Sequence, residues 1–516
     1  MTVLQSGSVN TTALIVPDLY IQVVPPSVTL LNGVATNILG GIGTATWGPV
    51  NAPTIVSSMA DYALKFGQIQ NAKYDLGTAV AAAVLQGANN FRCVRVTDGT
   101  DAAATINLMD TLPAIGAVLT AFYTGVVGNT LAALIGAGSA ASSYKLTITL
   151  PGSVPEVFDN ITGTGAALWL NLVNAVNLGQ SGIRGPSALC VATIGVGVAL
   201  PNLTSYTLAG GANGNTTITS TVLIGVDTVP RKGMYALRGT STSIAFLADA
   251  DDTTQWTTQV TYGLSEGTYM VLVGPAGQTV TTAASAKATA GIDSYAAKLM
   301  MGDWVYFKDT VNNVTRLISP QGFVAGRLAN LSPEQSSLNK QIYGIVGTQK
   351  SYQNLTYSQA ELAVLVGAGI DVITNPVPGG SYFGCRVGHN TSSNPVINGD
   401  NYTRMTNYIA YTLNAGMGIF VGKLQTPSER LQAKSTIQTF LGNMQQQGMI
   451  GDVNSPGSPA YQVILDATNN PASRVALGYQ QTDVKVVYLS VVEKFIINLE
   501  GGGSVQINRQ STTLAA

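Results

Sequence analysis

Chemistry would have to start from Gly263-Leu264-Ser265-Glu266-Gly267, which has the GxSxG spelling of a serine nucleophile elbow, with the single histidine of the chain, His389, downstream. Asp293, Asp303, Asp309 and Asp371 lie between the two, in the hydrolase order of nucleophile, acid and base. An elbow requires a tight turn from strand into helix, which exposes the hydroxyl and lets the helix support an oxyanion. The next residues, Thr268-Tyr269-Met270-Val271-Leu272-Val273, have a strand pattern instead, so the spelling is read as a chance match and a serine hydrolase using Ser265 is kept as a remote alternative. Gly136-Ala137-Gly138-Ser139-Ala140-Ala141 looks like a dinucleotide fingerprint, but the alternating run Tyr144 to Leu150 supplies no helix N-terminus for a pyrophosphate. Asp249, Asp251 and Asp252 could offer oxygens to calcium, yet the glycine and distal glutamate of an EF-hand loop are missing, and a solvated loop is favoured. His389 has no second histidine or cysteine at ligand spacing and reads as a surface or interface residue. Cys93, Cys190 and Cys385 lie far apart without CxxC spacing and read as reduced, small apolar residues. The expectation is no catalytic residue, no cofactor, no metal and no enzyme.

The composition points elsewhere. Charged residues make up 10 % of the 516, against about 25 % for soluble domains, while 46 % are hydrophobic and 57 are glycine. A chain of this length suggests about three or four domains and a sizeable core. So little charge would leave a lone monomer poorly soluble. Membrane insertion would be one resolution, but no apolar run of about 18 to 20 residues occurs, and MTVLQSGSVN has no basic segment leading into an apolar one. The other is that copies of the chain cover one another, because obligate interfaces resemble a domain core cut in half. A net charge of −1 with scattered Lys and Arg removes the footprint needed for nucleic acid.

The elements that would position any site are read from caps and periodicity. Ser58-x-x-Asp61 opens a short helix that stops at Gly67, and a second runs from about Asp75 to Gln86 before the strand Phe91 to Val96. From about 101 to 210 the chain turns to Thr, Gly, Ala and Val with short strands and few helical periods, a β-rich insertion. Ala283 to Met301 reads as an Ala-rich helix, and Ser358-x-x-Glu361 as a capping box before a helix ending at Gly367. The clearest helix runs from about Pro427 to Gln447, with Thr426 as N-cap and an apolar stripe of Ile437, Phe440, Leu441 and Met444. β-branched runs lie at both extremities, Thr11 to Val24, interrupted by Pro17, and Val484 to Leu499, followed by Gly501 to Gly503.

Several stretches together resemble the contractile-tail sheath family of myovirus-type phages and related bacteriocins. Val16-Pro17-Asp18-Leu19-Tyr20-Ile21-Gln22-Val23-Val24-Pro25 is similar to the opening strand of that family, and Gly40 to Thr54 (GGIGTATWGPVNAPT) to its glycine turn and GPxNxP segment. Ala60-Asp61-Tyr62 through Phe66-Gly67, the turn Thr124 to Asn129, Glu156 to Ile161 and Leu208 to Gly214 come in the family's order. Ile318-Ser319-Pro320 with Val324 to Arg327, and Gly384-Cys385-Arg386 with Tyr402-Thr403-Arg404, continue it. Asn213-Gly214 replaces the usual acidic residue, and Phe383 stands where Trp is common.

The resemblance implies a multidomain α/β subunit: a discontinuous α/β assembly domain from both chain ends, a β-rich inserted domain and a subtilisin-like α/β domain without a catalytic triad. The expected segments are an N-terminal arm at 1–24, an N-terminal part of the assembly region at 25–100, the insertion at 101–210, the subtilisin-like domain at 211–388, a C-terminal assembly domain at 389–500, and a C-terminal arm and tail at 484–516. It implies a homo-oligomer, a sixfold helical sheath that polymerises around an inner tail tube protein, meets baseplate and tail terminator proteins, and contracts from a metastable extended state. The subunit would be assembled in the host cytoplasm and reside in the virion tail, without nucleic acid or membrane insertion. A sheath of a headless bacteriocin, or another self-assembling shell or surface-layer protein, is the alternative. Unsatisfied strand edges are templates for other chains. The arms would therefore link neighbours by strand addition, through Leu14, Val16, Tyr20, Ile21 and Val23 at one end and Val486, Tyr488, Val491, Phe495 and Ile497 at the other. Arg430 and Lys434 on the helix from Pro427 are the candidates for facing the tube.

Overall fold

The structure, a computed structural model, describes residues 2–4, 20–22 and 31–499. In chain order, β1 (Thr2–Leu4) and β2 (Tyr20–Gln22) precede the body, which opens with β3 (Leu39–Gly43), β4 (Thr54–Val56), α1 (Met59–Phe66), α2 (Leu76–Val84) and β5 (Phe91–Arg95). Then come β6 (Ala103–Met109), β7 (Ile115–Thr124), β8 (Ala132–Ala137), β9 (Tyr144–Thr149), β10 (Glu156–Ile161), α3 (Ala166–Leu178), β11 (Cys190–Ile194) and β12 (Ser205–Thr207). The third stretch holds α4 (Ser220–Ile224), β13 (Ile244–Leu247), α5 (Trp256–Glu266), β14 (Tyr269–Val273), α6 (Val280–Ala290) and β15 (Ala297–Met300). It continues with β16 (Val305–Asp309), β17 (Val314–Ile318), α7 (Gln321–Ala329), β18 (Ile345–Thr348), α8 (Gln359–Gly367), β19 (Ile373–Thr374) and β20 (Gly384–Cys385). The last part is α9 (Asp400–Met417), α10 (Pro427–Gln446), β21 (Tyr461–Ile464), α11 (Ala472–Val475) and β22 (Asp483–Val486).

One six-stranded sheet in the order β15-β14-β13-β3-β5-β4 organises the body. Five strands run parallel and β4 closes the edge antiparallel to β5. Parallel sheets are covered on both faces, and their strands read as continuous apolar runs. Tyr269-Met270-Val271-Leu272-Val273 is fully buried. Its odd positions join Phe246 in one core with Val80 of α2 and Phe323 of α7, and its even positions join Leu247 in another with Trp256 of α5 and Leu365 of α8. The result is a three-layer α/β/α body. On the first face α7 lies directly on α2. A Cβ on Gly326 would sit 2.4 Å from the Ala83 Cα, and one on Gly322 would sit 2.6 Å from the Ala79 carbonyl oxygen, so only glycine permits the contact.

This sheet joins two of the expected segments: β3, within 25–100, pairs with β13 of the 211–388 segment on one side and with β5 on the other. The pairing spans the whole insertion, and nothing local in Leu39-Gly40-Gly41-Ile42-Gly43 names its partner. The reading of Ala283 to Met301 as one helix is corrected. The helix ends at Ala290 because Gly291 takes up the left-handed conformation at φ +62, and Ala297 to Met300 becomes the edge strand beside β14.

Residues 103–207 build two sheets, β10-β9-β8-β12 and β11-β7-β6, around one core that includes Leu119, Leu146, Phe158 and Trp169. The helix α3 in this region carries no charge and no side-chain cap, which is why periodicity passed over it. The chain enters and leaves the insertion side by side. Asp98 N–H donates to the Gly214 carbonyl at 2.8 Å, and Ala102 and Ala212 exchange backbone hydrogen bonds. The buried Arg95 guanidinium ties the stem together by donating to the carbonyls of Gly48, Thr124 and Asn213.

Where α2 starts, Asp75 is buried and caps the helix by accepting from the Thr78 backbone N–H at 2.8 Å. Burial pushes its carboxyl up to about 6, against the hydrogen bonds from Thr78 and the nearby Arg316 charge. A folded-state value above the ordinary 3.8 means that the folded chain holds this proton more tightly than the unfolded chain. The associated stability is complete below about pH 4 and is lost as pH rises through about 6, a change on the order of 3 kcal/mol. Denaturant titrations between pH 4 and 7 should show that slope in the wild type and a flatter one in Asp75→Asn; identical slopes would contradict the assignment.

Candidate subunit interface

The C-terminal module is built from α9, α10 and the β21–β22 hairpin. Thr426 Oγ1 accepts from the Glu429 N–H, and Pro427 occupies the first turn of α10. Ile437, Phe440, Leu441 and Met444 then face Met405 and Ile409 of α9 and Val463 of β21 in a separate core. β22 pairs antiparallel with β21, Tyr461 opposite Val486 and Ile464 opposite Asp483. Among the described residues, no further strand lies on the other edge of β22. Beside it runs a groove of about 750 Å³ lined by Tyr402, Thr406 and Ile409 of α9 and by Val484, Val486 and Tyr488.

A buried charge cluster fixes this module to the sheet. Lys298, at the centre of β15 and wholly buried, places its ammonium 2.6 Å from Asp371 and 3.1 Å from Asp400, the first residue of α9. Asp371 also accepts from the backbone N–H groups of Val372, Val387 and Gly388. Asp400 accepts from the Tyr269 and Ser337 hydroxyls. Burial would raise the Asp400 carboxyl, but Lys298 and these hydroxyls hold it below the usual carboxylate range. Burial would likewise lower Lys298, and the two carboxylates more than reverse that. One turn on, burial brings Arg404 down to about 10, and its guanidinium donates to the Leu331 and Ser332 carbonyls.

Past Tyr488 the chain leaves the hairpin and has no regular secondary structure through residue 499. Two polar ties hold it. The Asn401 amide donates to the Leu489 carbonyl at 3.2 Å, and His389 Nε2 lies 2.7 Å from Glu493 Oε1. His389 is itself buried, with Asn398 Nδ2 3.4 Å from its Nδ1. Beyond the clasp Phe495, Ile496, Ile497 and Leu499 are 73–91 % exposed. Glu493→Ala should speed tryptic cleavage at Lys494 severalfold, a discounted effect because the Glu493 side chain is 42 % exposed. An unchanged cleavage rate would mean that the clasp does not restrain the segment.

Of the arm residues read from sequence, Leu14, Val16 and Val23 lie outside the described residues. Tyr20 and Ile21 sit in β2, which pairs in parallel with β1. Val486 and Tyr488 are taken up in the module itself, Val486 opposite Tyr461 and Tyr488 bridged to Ile450, so the free C-terminal segment starts later than Val484. Val491 is half-buried, and Phe495 and Ile497 stand out in solvent. Arg430 donates to the Gln425 side chain and, with Lys434, lines a shallow groove between α10 and residues 465–475. Sequence reading missed the Lys298 cluster and the His389–Glu493 contact, because their members lie far apart in the chain and share no motif.

The hydrolase spelling dissolves in three dimensions. Ser265 lies in the last turn of α5, and its hydroxyl donates to the Tyr262 carbonyl at 3.0 Å. Asp293 bonds Ser393, Asp303 bonds Tyr357, Asp309 pairs with Arg316 and Asp371 pairs with Lys298, while the partner of His389 is Glu493. Asp249 accepts from the Ser319 N–H, Asp251 pairs with Lys73, and Asp252 caps a short turn through Thr254. Among the described residues, no group of three His, Cys, Asp or Glu side chains converges as metal ligands would.

No family model matches the sequence, and no curated protein does either. The fold finds clear matches among solved structures. The sheath tail protein Lin1278 from Listeria innocua superposes with a TM-score of 0.61 at 13 % identity, over 89 % of this chain and 96 % of that one. The sheath tail protein DSY3957 from Desulfitobacterium hafniense gives 0.58 at 14 % identity, over 90 % and 99 %. The helical sheath of the anti-feeding prophage in its contracted state gives 0.55 at 11 % identity, over 94 % and 99 %. The architecture is therefore that of the sheath proteins it superposes on. More narrowly, the chain carries the fold shared by sheath tail proteins and contractile injection system sheaths.

Proposed function

We propose that this chain is the structural subunit of a contractile sheath, which polymerises around an inner tube and shortens from a metastable extended lattice to drive that tube through an envelope. The observation that carries this reading is a fold match running through 89–95 % of the chain and 96–99 % of the sheath chains. In support, the edge of β22 left unpaired among the described residues and the exposed segment after Tyr488 offer complementary halves of a strand-addition joint between copies. The terminal segments link neighbours in this way while the bodies slide. A gain of a few kcal/mol per subunit in the compact packing, summed over a long tube, supplies the work without nucleotide. The tube, a baseplate and a terminator are its partners, with Arg430 and Lys434 toward the tube. A phage tail and a headless injection particle are equally served by this subunit, and one matched structure is the sheath of an extracellular contractile injection system. Electron microscopy of the purified chain should show striated hollow tubes; flat sheets or closed shells would refute the reading.

A further inference from the structure

The insertion formed by residues 103–207 ends in a tip that the sheath reading leaves unexplained. Two loops form it, the β6–β7 turn and the connection from β11 to β12. Asp110 is their keystone. It is buried, and its carboxylate accepts from the N–H groups of Leu112 at 2.9 Å and Ala114 at 2.8 Å in one loop and of Ala199 at 3.0 Å in the other. Thr111 N–H donates to the Leu200 carbonyl, and Gly197 N–H to that of Ile115. Trp169 forms the floor: its ring lies so close under Gly116 that a Cβ there would come within 2.1 Å, and its indole N–H donates to the Ala199 carbonyl. The tip is thus pre-organised, not a loose loop.

What it presents is apolar. Leu112, Val196, Val198, Leu200 and Leu203 are 51–85 % exposed. No Asp, Glu, Lys, Arg or His occurs between Asp110 and Lys145 or between Arg184 and Asp227. Soluble surfaces rarely hold such a patch unless something covers it, and charge depletion is the compositional mark of the centre of an interface. A rigid frame also lowers the ordering cost of binding.

We infer that this tip docks on the insertion domain of a second copy of the chain, making a contact between subunits separate from any formed by the terminal segments. Charge matching selects that occupant. A charged partner would lose hydration against a surface that returns no ion pair, so the complement must be equally uncharged. The same domain supplies such a surface on the outward face of β11-β7-β6, where Phe122 and Val191 are 50 % and 42 % exposed beside the uncharged Thr105, Asn107 and Thr193. The inference rests on the reading of the chain as a self-assembling sheath subunit.

The test uses the full chain. Val196→Asp combined with Val198→Asp should raise the concentration needed for tube formation about tenfold, with melting temperature and circular dichroism unchanged. If that variant misfolds, the isosteric Val196→Thr/Val198→Thr pair takes its place and should raise it about threefold. Because Cys93, Cys190 and Cys385 are buried, Val196→Cys chains can be mixed with Val191→Cys chains and treated with a bifunctional maleimide, and a cross-linked product holding one chain of each kind is expected. Equal assembly thresholds in wild type and variant, or no two-chain product, would overturn the inference. So would tip-dependent flotation with neutral phosphatidylcholine vesicles in the absence of that product. If the wild type forms no tubes, the sheath reading fails, and the cross-link at high protein concentration still decides this contact.

Discussion

Lys298→Met should be the most damaging single substitution in the molecule. It leaves Asp371 and Asp400 facing each other in the interior without the cation that offsets both. Removing one member of a buried ion pair costs about 3–5 kcal/mol, because the remaining charges stay desolvated. The loss should concentrate at the seam between β15 and α9. Calorimetry should then show the C-terminal module melting ahead of the rest, with the two transitions merged in the wild type. A single transition at the wild-type temperature would mean that the cluster contributes nothing net, as can happen where charges are replaced together by apolar groups of equal volume.

Deleting residues 1–24 should have the largest effect on assembly and almost none on folding. Among the described residues, the four cores of the body draw their buried side chains from Leu39 onward. The truncated chain should keep its melting temperature and near-ultraviolet circular dichroism, sediment as a monomer and give no tubes. A collapse of folding would place the segment in the body instead, and normal tubes would remove it from the linkage.

What could be read from sequence alone was whatever is local. Ser58, Asp75, Ser358 and Thr426 each have a side chain that satisfies a helix's first free N–H groups, and all four caps form. The helix α3, capped by Gly165 without a side-chain bond, has no such mark. The run Val484 to Leu499 shows the limit most clearly. Its β-branched composition is uniform, yet its first five residues join the module's own hairpin and its last ones stand in solvent. Tertiary context, available strand edges above all, divides it. The order of strands in the central sheet was equally hidden, since β3 meets β13 only after about two hundred residues of intervening chain.

The zipped stem at Asp98 and Gly214 has a practical side. Since the two backbones already touch there, a short loop could bridge them and leave the α/β body closed, or an unrelated module with adjacent termini could be grafted in place of the native one. A chain closed in this way keeps the stem and loses the tip, so its assembly threshold would measure what the whole insertion contributes.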